Sequence, residues 1–248
     1  MSVPVETRSR RRTPNSLPWV AMYHSVGDCS DDPYRITVTP ERLAAQLAWF
    51  ARGGLRGVSM AELLAAPDRT GLIGLTFDDG YTDFVDRALP VLRAHGMNAT
   101  LFVLPGRLGG DNAWDPLGPR KPLLTADGIR EAAAQGVEIG SHGLTHVDLT
   151  KADDETLAAE TAESRSRLQN LLKTDVTGFC YPYGTVDERA VTAVRDACYA
   201  YACAIDPGPL NGVHALPRVH IGQNDTAARL FLKHRLHRLR RRPVEGLR

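Results

Sequence analysis

The chain has 248 residues, 43% hydrophobic and 24% charged, with a net charge of +1 and four cysteines. That length suits a single α/β barrel with a large core. The cysteines form no CxxC pair or zinc-finger spacing, which argues against a disulfide framework, and the near-neutral balance argues against nucleic acid as a partner. No apolar run reaches the length of a membrane span, and no signal-like apolar core precedes Trp19; the expected location is cytoplasmic.

Charge is unevenly spread. Residues 1–12 carry +3 and residues 229–248 carry +7, which leaves −9 between them. Basic ends of this kind could hold an anionic membrane surface or a lipid-linked carrier, though solvated tails have the same composition.

Residues 1–18, with three prolines among polar residues, read as a disordered leader. Residues 19–228 read as the barrel domain, and residues 229–248 as a basic C-terminal helix or tail. Strands are expected at Val20–His24, Ile73–Phe77, Ala99–Leu104, Val137–Ser141, Thr177–Tyr181, Ala200–Ile205 and Ala215–Val219. Helices are expected at Pro40–Arg52, Met60–Ala65, Tyr81–His95, Thr125–Gln135, Asp153–Leu172, Asp187–Ala197 and Thr226–Arg240. Thr39-Pro40 is a helix start and Gly96 a helix stop. Alternating strands and helices predict a mostly parallel sheet with its working residues at the C-terminal strand ends. The Gly- and Pro-rich stretch 105–124 falls on that face, where it can rim a cleft.

Three segments lie at such strand ends. Asp78-Asp79 follow an apolar run in Thr76-Phe77-Asp78-Asp79-Gly80. His142 and His146 stand at helical spacing in Ser141-His142-Gly143-Leu144-Thr145-His146. One carboxylate and two imidazoles form the three-ligand set of a catalytic divalent cation, and the second carboxylate is left to act as a base. Alone, Asp-Gly also marks ordinary turns, and paired histidines also sit on surfaces. The third segment, Tyr181-Pro182-Tyr183-Gly184, is a rigid turn whose N–H groups can face a pocket. Cys180, Cys198 and Cys203 read as packed small hydrophobes. Asp83 and Asp86 read as serving a helix N-terminus, and His95, His214, His234 and His237 as surface or capping residues.

In this order the segments resemble the polysaccharide deacetylases of carbohydrate esterase family 4, over residues 19–221. The resemblance implies a distorted (β/α) barrel of the NodB type and hydrolysis of an N-acetyl or O-acetyl group on a sugar. It implies Asp78 as catalytic base, and Asp79, His142 and His146 as ligands of a divalent metal, zinc before cobalt, nickel or manganese. Tyr183 would supply an oxyanion N–H. Met22-Tyr23-His24-Ser25 fits the acid motif of the circularly arranged members, which makes His24 the general acid, with His220 in reserve. Cys180 stands where the family often has arginine, and Arg218 is a candidate to orient Asp78 in its place. The family's fourth-motif tryptophan has no counterpart near Ala204-Ile205-Asp206. The expected partner is an acylated amino sugar or glycoconjugate. The alternatives are a deformylase or amidase acting on a small or lipid-linked substrate, and a non-catalytic carbohydrate-binding relative.

Overall fold

The computed structural model describes residues 19–240, 244 and 246; the expected leader and the last part of the tail lie outside them. The strands are β1 (Val20–Tyr23), β2 (Ser25–Val26), β3 (Thr37–Val38), β4 (Arg56–Val58), β5 (Leu72–Phe77), β6 (Thr100–Val103), β7 (Glu138–Ser141), β8 (Gly178–Cys180), β9 (Tyr201–Ala204), β10 (Leu216–Pro217) and β11 (Val219–His220). The helices are α1 (Pro40–Arg52), α2 (Met60–Ala65), α3 (Leu89–Ala94), α4 (Ala126–Ala134), α5 (Asp154–Ala158), α6 (Ser164–Leu172), α7 (Glu188–Asp196) and α8 (Ala227–Arg240). Nine strands form one parallel sheet in the order β10-β9-β8-β7-β6-β5-β1-β11, with β4 added against β5; β2 and β3 pair separately.

The sheet curls into a nearly closed barrel, and its two edges are consecutive in the chain. β10 pairs with β9 and β11 pairs with β1, so one residue, Arg218, bridges the seam. Side chains alternate along each strand, so one set of residues faces the helices and the other fills the barrel. Ala21, Tyr23, Leu75, Phe77 and Phe179 join the large core beneath the helices. Val20, Phe102, Cys180, Cys203 and Leu216 form a smaller inner core. By the same parity Asp78, Cys180 and Arg218 belong to the inner set, above that apolar plug.

Local chemistry explains the helices. Thr39 caps α1 by accepting from the Arg42 N–H, and Pro40 opens the helix. Ser59, Thr125, Asp153 and Asp187 cap α2, α4, α5 and α7 in the same way. Gly96, at φ +62°, follows the end of α3.

Two helices expected to be continuous are broken by π-helical turns. Phe84–Ala88 widens ahead of α3, where Pro90 cannot donate a helical hydrogen bond. Ala159–Glu163 separates α5 from α6. The sequence expectation for the C-terminus also changes in detail. α8 packs on the barrel through buried Leu230, and His234 and His237 lie against the Trp19 ring rather than standing apart. Cys180 and Cys203 are buried as expected, whereas Cys198 is exposed.

Candidate metal centre and active site

Asp78 ends β5 on the inner side. Asp79 would point the opposite way in a regular strand, but its φ of +73°, followed by Gly80 at +72°, turns the chain and brings its carboxylate back to the same cavity. Non-glycine residues in the left-handed region cost energy and gather at functional sites. Two adjacent carboxylates thereby serve one centre.

His142 follows β7. Its Nδ1–H donates to the Cys180 carbonyl at 2.9 Å, which fixes the tautomer and leaves the Nε2 lone pair facing the cavity. Asp79 Oδ1 lies 3.3 Å from His142 Nε2 and 3.4 Å from His146 Nε2. All three side chains are buried, and Asp79 Oδ1 has no hydrogen-bond partner. An orphaned buried carboxylate oxygen facing two imidazole nitrogens is a donor set suited to a divalent cation. Burial opposes ionisation of Asp79, but its two histidine neighbours hold its carboxyl well below the ordinary value.

The segment carrying the histidines, although they stand at helical spacing, is an irregular turn with Gly143 at φ +83° and His146 at φ +74°. Glu160, on the π-helical turn before α6, holds it. The Glu160 carboxylate accepts from the Leu144 N–H at 2.6 Å, the Thr145 N–H at 3.0 Å and the Thr145 hydroxyl. Ser164 Oγ donates to the Gly143 carbonyl at 2.8 Å. A Cβ at position 143 would stand 2.6 Å from Glu160 Oε2, so the turn needs glycine for space as well as for φ.

Arg218 reaches inward from the seam. Its Nη1 and Nη2 donate to Asp78 Oδ1 and Oδ2 at 2.7 and 2.8 Å, and Nη1 also donates to Thr76 Oγ1 at 3.0 Å. Burial would raise the Asp78 carboxyl, but the Arg218 and His142 charges outweigh it and hold it below its usual value. The Cys180 Sγ accepts from Arg218 Nη2 at 2.9 Å, and burial pushes its thiol well up. Cys180, Asp78 and His142 also cluster tightly enough to ligate. A neutral thiol beside a guanidinium, however, makes that group a poor cation site.

His24 follows β1, and its Nε2 lies 3.9 Å from Asp78 Oδ2. Burial lowers its basicity, while the Asp78 and Asp79 charges act the other way. His220 stands behind it, ring centroids 6.2 Å apart; burial, then His24 and Lys233, push it down to about 4. The structure therefore brings His24, Asp78, Asp79, His142, His146, Tyr183, Arg218 and His220 to one cavity of about 370 Å³. Tyr183 adopts φ +60° and sets its ring 4.6 Å from that of His146.

Sequence reasoning passed over three contributors. Trp114 stacks on His146 at 4.4 Å, and Asp115 lines the cavity, buried and raised by desolvation and by Asp79. Both come from the loop expected to rim the cleft, but no periodicity marks them. Glu160 is the third. Asp83 and Asp86 do stand at the N-terminus of the π-helical turn, but the Asp83 carboxylate accepts from Ser25 Oγ rather than from a helix N–H.

A family model described as polysaccharide deacetylase matches residues 65–202. The chain belongs to the polysaccharide deacetylase family. Its relatives include YxkH of Bacillus subtilis, 28% identical over 216 residues that cover 84% of this chain and 72% of that protein. The poly-β-1,6-N-acetyl-D-glucosamine N-deacetylase of Escherichia coli K12 is 26% identical over 82% of this chain and 36% of its own length; this chain thus spans about a third of that relative. Among solved structures, the Streptococcus pyogenes deacetylase PplD in complex with acetate superposes with a TM-score of 0.74. It shares 23% identity and covers 89% of this chain and 98% of its own. A Bacillus cereus polysaccharide deacetylase gives 0.73 at 23% identity, over 87% and 68%. The barrel is the NodB-type barrel of these deacetylases. The family match ends before Arg218 and begins after His24, so it covers neither of those side chains.

Proposed function

We propose that this polysaccharide deacetylase removes an N-acetyl group from an amino sugar in a glycan or glycoconjugate, with a divalent metal. The reading rests on one observation: Asp79 Oδ1 lies within 3.4 Å of each of two imidazole Nε2 atoms, with Asp78 and His24 beside them. The N-deacetylase relative acting on poly-N-acetylglucosamine supports the amino-sugar class.

Asp79, His142 and His146 would hold the cation, zinc before cobalt, nickel or manganese. When bound, it supplies Lewis-acid polarisation of the acyl oxygen and an acidified water. Asp78, fixed by the Arg218 fork, takes the proton of the attacking water. The Arg218 and His142 charges keep it ionised in its buried position. His24, on the other side, donates a proton to the departing amine. The backbone N–H at Tyr183 is assigned to the developing oxyanion. Trp114 and the Tyr183 ring offer faces for the sugar, and the Asp115 carboxylate accepts from its hydroxyls.

A second reading is favoured by the cavity's size. About 370 Å³ lies near the lower end for ligand pockets and accommodates roughly one sugar ring. That suits a small or carrier-linked acyl-amine as well as the end of a polymer.

The test is metal content together with acetate and formate release from free, polymeric and lipid-linked N-acylated sugars, for wild type and Asp78→Asn. Metal-dependent acetate release that disappears in the variant, while metal is retained, is the expected result. Bound metal with no release from any substrate would overturn the enzymatic reading, and formate release would select the deformylase.

A further inference from the structure

Helix α8 packs on the barrel through one face only. Leu230 is buried there, and the rings of His234 and His237 lie 5.3 and 6.4 Å from that of Trp19. Lys233, on the same side, donates to the His220 carbonyl and the Asp225 carboxylate. At about 100° per residue, Leu232 and Arg235 fall on the opposite side, with Phe231 and Leu236 flanking them. There Phe231 is 55%, Leu232 57% and Leu236 37% exposed. A helix of a globular domain normally turns its large apolar residues inward. This one presents three of them to the outside within six positions.

Apart from buried Asp225, which pairs with Lys233 and lies 4.0 Å from Arg229, the charge around these residues has one sign. Arg229 and Arg235 are exposed, with the Arg235 guanidinium 5.7 Å from the Phe231 ring centroid. The sequence continues through Arg238, Arg240, Arg241 and Arg242, and no acidic residue occurs from Thr226 to Val244. This composition selects among occupants. A second α8 packed against the first would oppose like charges across a two-fold interface. The N-terminal residues 1–18 are themselves net positive, so they are no better matched. A nucleic acid would meet the arginines but leave the apolar side chains without a partner. An anionic bilayer satisfies both features, because apolar side chains enter the boundary between headgroups and acyl chains while arginines meet the lipid phosphates.

We propose that α8 docks the protein on an anionic lipid surface, with Phe231, Leu232 and Leu236 inserted and Arg229 and Arg235 at the headgroups. The surface is independent of the hydrolase reading. Among the described residues no helix is long and apolar enough to cross a membrane, so the contact is peripheral. The helix begins seven positions after His220, which lines the cavity, and runs toward Trp19 at the opposite end of β1, so the docked face is a flank of the barrel.

The test is co-sedimentation of the full chain with vesicles of phosphatidylglycerol or of phosphatidylcholine. Wild type is compared with Phe231→Ser/Leu232→Ser/Leu236→Ser and with Arg229→Gln/Arg235→Gln. Wild type should partition onto phosphatidylglycerol at least about tenfold more strongly than onto phosphatidylcholine, and added salt should weaken the binding. Each arginine removed should reduce it about fivefold, and the triple serine variant about tenfold or more. All five side chains are exposed, with Arg229 also reaching the Asn224 carbonyl and the Asp225 carboxylate, so thermal melting should change little; if a variant melts early, the lipid preference and salt response of wild type still decide. Equal binding to both lipids, no binding, or undiminished binding by a folded triple serine variant would overturn the proposal. So would a dimer that the serine variant dissolves in a protein that ignores lipid.

Discussion

Two regions of this site hold their working groups by opposite means. Asp78 follows a regular strand, its direction set by β5 alternation, and the Arg218 charge brought across the barrel seam, joined by that of His142, keeps it ionised. His142 to His146 follow an irregular turn with left-handed residues, held by a net of hydrogen bonds from Glu160 and Ser164. The strand-borne group needs charge compensation, because its backbone is already determined. The turn-borne groups need backbone restraint, because nothing periodic fixes them.

The largest expected effect comes from removing the counter-charge. Arg218→Ala leaves Asp78 buried and unpaired and should cost about 3–5 kcal/mol in urea unfolding. Adding Asp78→Asn should restore much of that loss. Equal instability of the single and double variants would break the claim that charge, rather than packing, is what the seam supplies. Metal affinity of folded Arg218→Ala should stay within a few fold of wild type.

Glu160→Gln should act on the other region. Weakening its bonds to the turn should cost about 1–3 kcal/mol and lower metal affinity about 10–100-fold in chelator competition. Unchanged metal affinity would show that the turn holds its shape unaided. Gly143→Ala should behave in the same way, since its methyl group would meet the Glu160 carboxylate.

A smaller effect, in pH dependence, separates the seam from the turn. His220 sits at the end of β11 with its basicity pushed down to about 4, first by burial. Its folded value lies below the unfolded one near 6.5, so the unfolded chain binds more protons between those limits. Stability is then fully present above pH 6.5 and lost as pH falls through about 4. After allowance for partial exposure the loss should be about 2 kcal/mol. His220→Gln should flatten that part of the stability–pH curve, and a curve of wild-type slope in the variant would remove His220 as its source. The smallest effect belongs to a position outside both regions. Thr39→Ala should cost about 1 kcal/mol in thermal unfolding by loss of the α1 cap, with metal affinity unchanged.

The same contrast explains what could be read in advance. Strand-borne groups were legible: the strand-end rule locates Asp78, the family resemblance points to His24, and charge pairing points to Arg218. Asp79, His142 and His146 were legible as residue types but not as geometry, because left-handed backbone at Asp79 and His146 leaves no periodic trace. Glu160 was hidden inside a helical pattern, since the π-helical turn that aims it changes no hydrophobic spacing. Trp114 and Asp115 occupy a loop whose only sequence signature is its glycines and prolines. Strands β2, β3, β10 and β11 span two residues each, too few for alternation to show, so the seam itself could not be drawn from the sequence.

That seam bears on how the chain is made. Asp78 and Arg218 are 140 positions apart, so roughly ten seconds of ribosomal synthesis separate them. During that interval the nascent barrel has an interior anion without its guanidinium partner, and its interior should stay wet until the final strands arrive. A polypeptide released before Arg218 would keep a wet, open interior accessible to proteases. The ion pair thus ties the drying of the barrel interior to the arrival of its last strands.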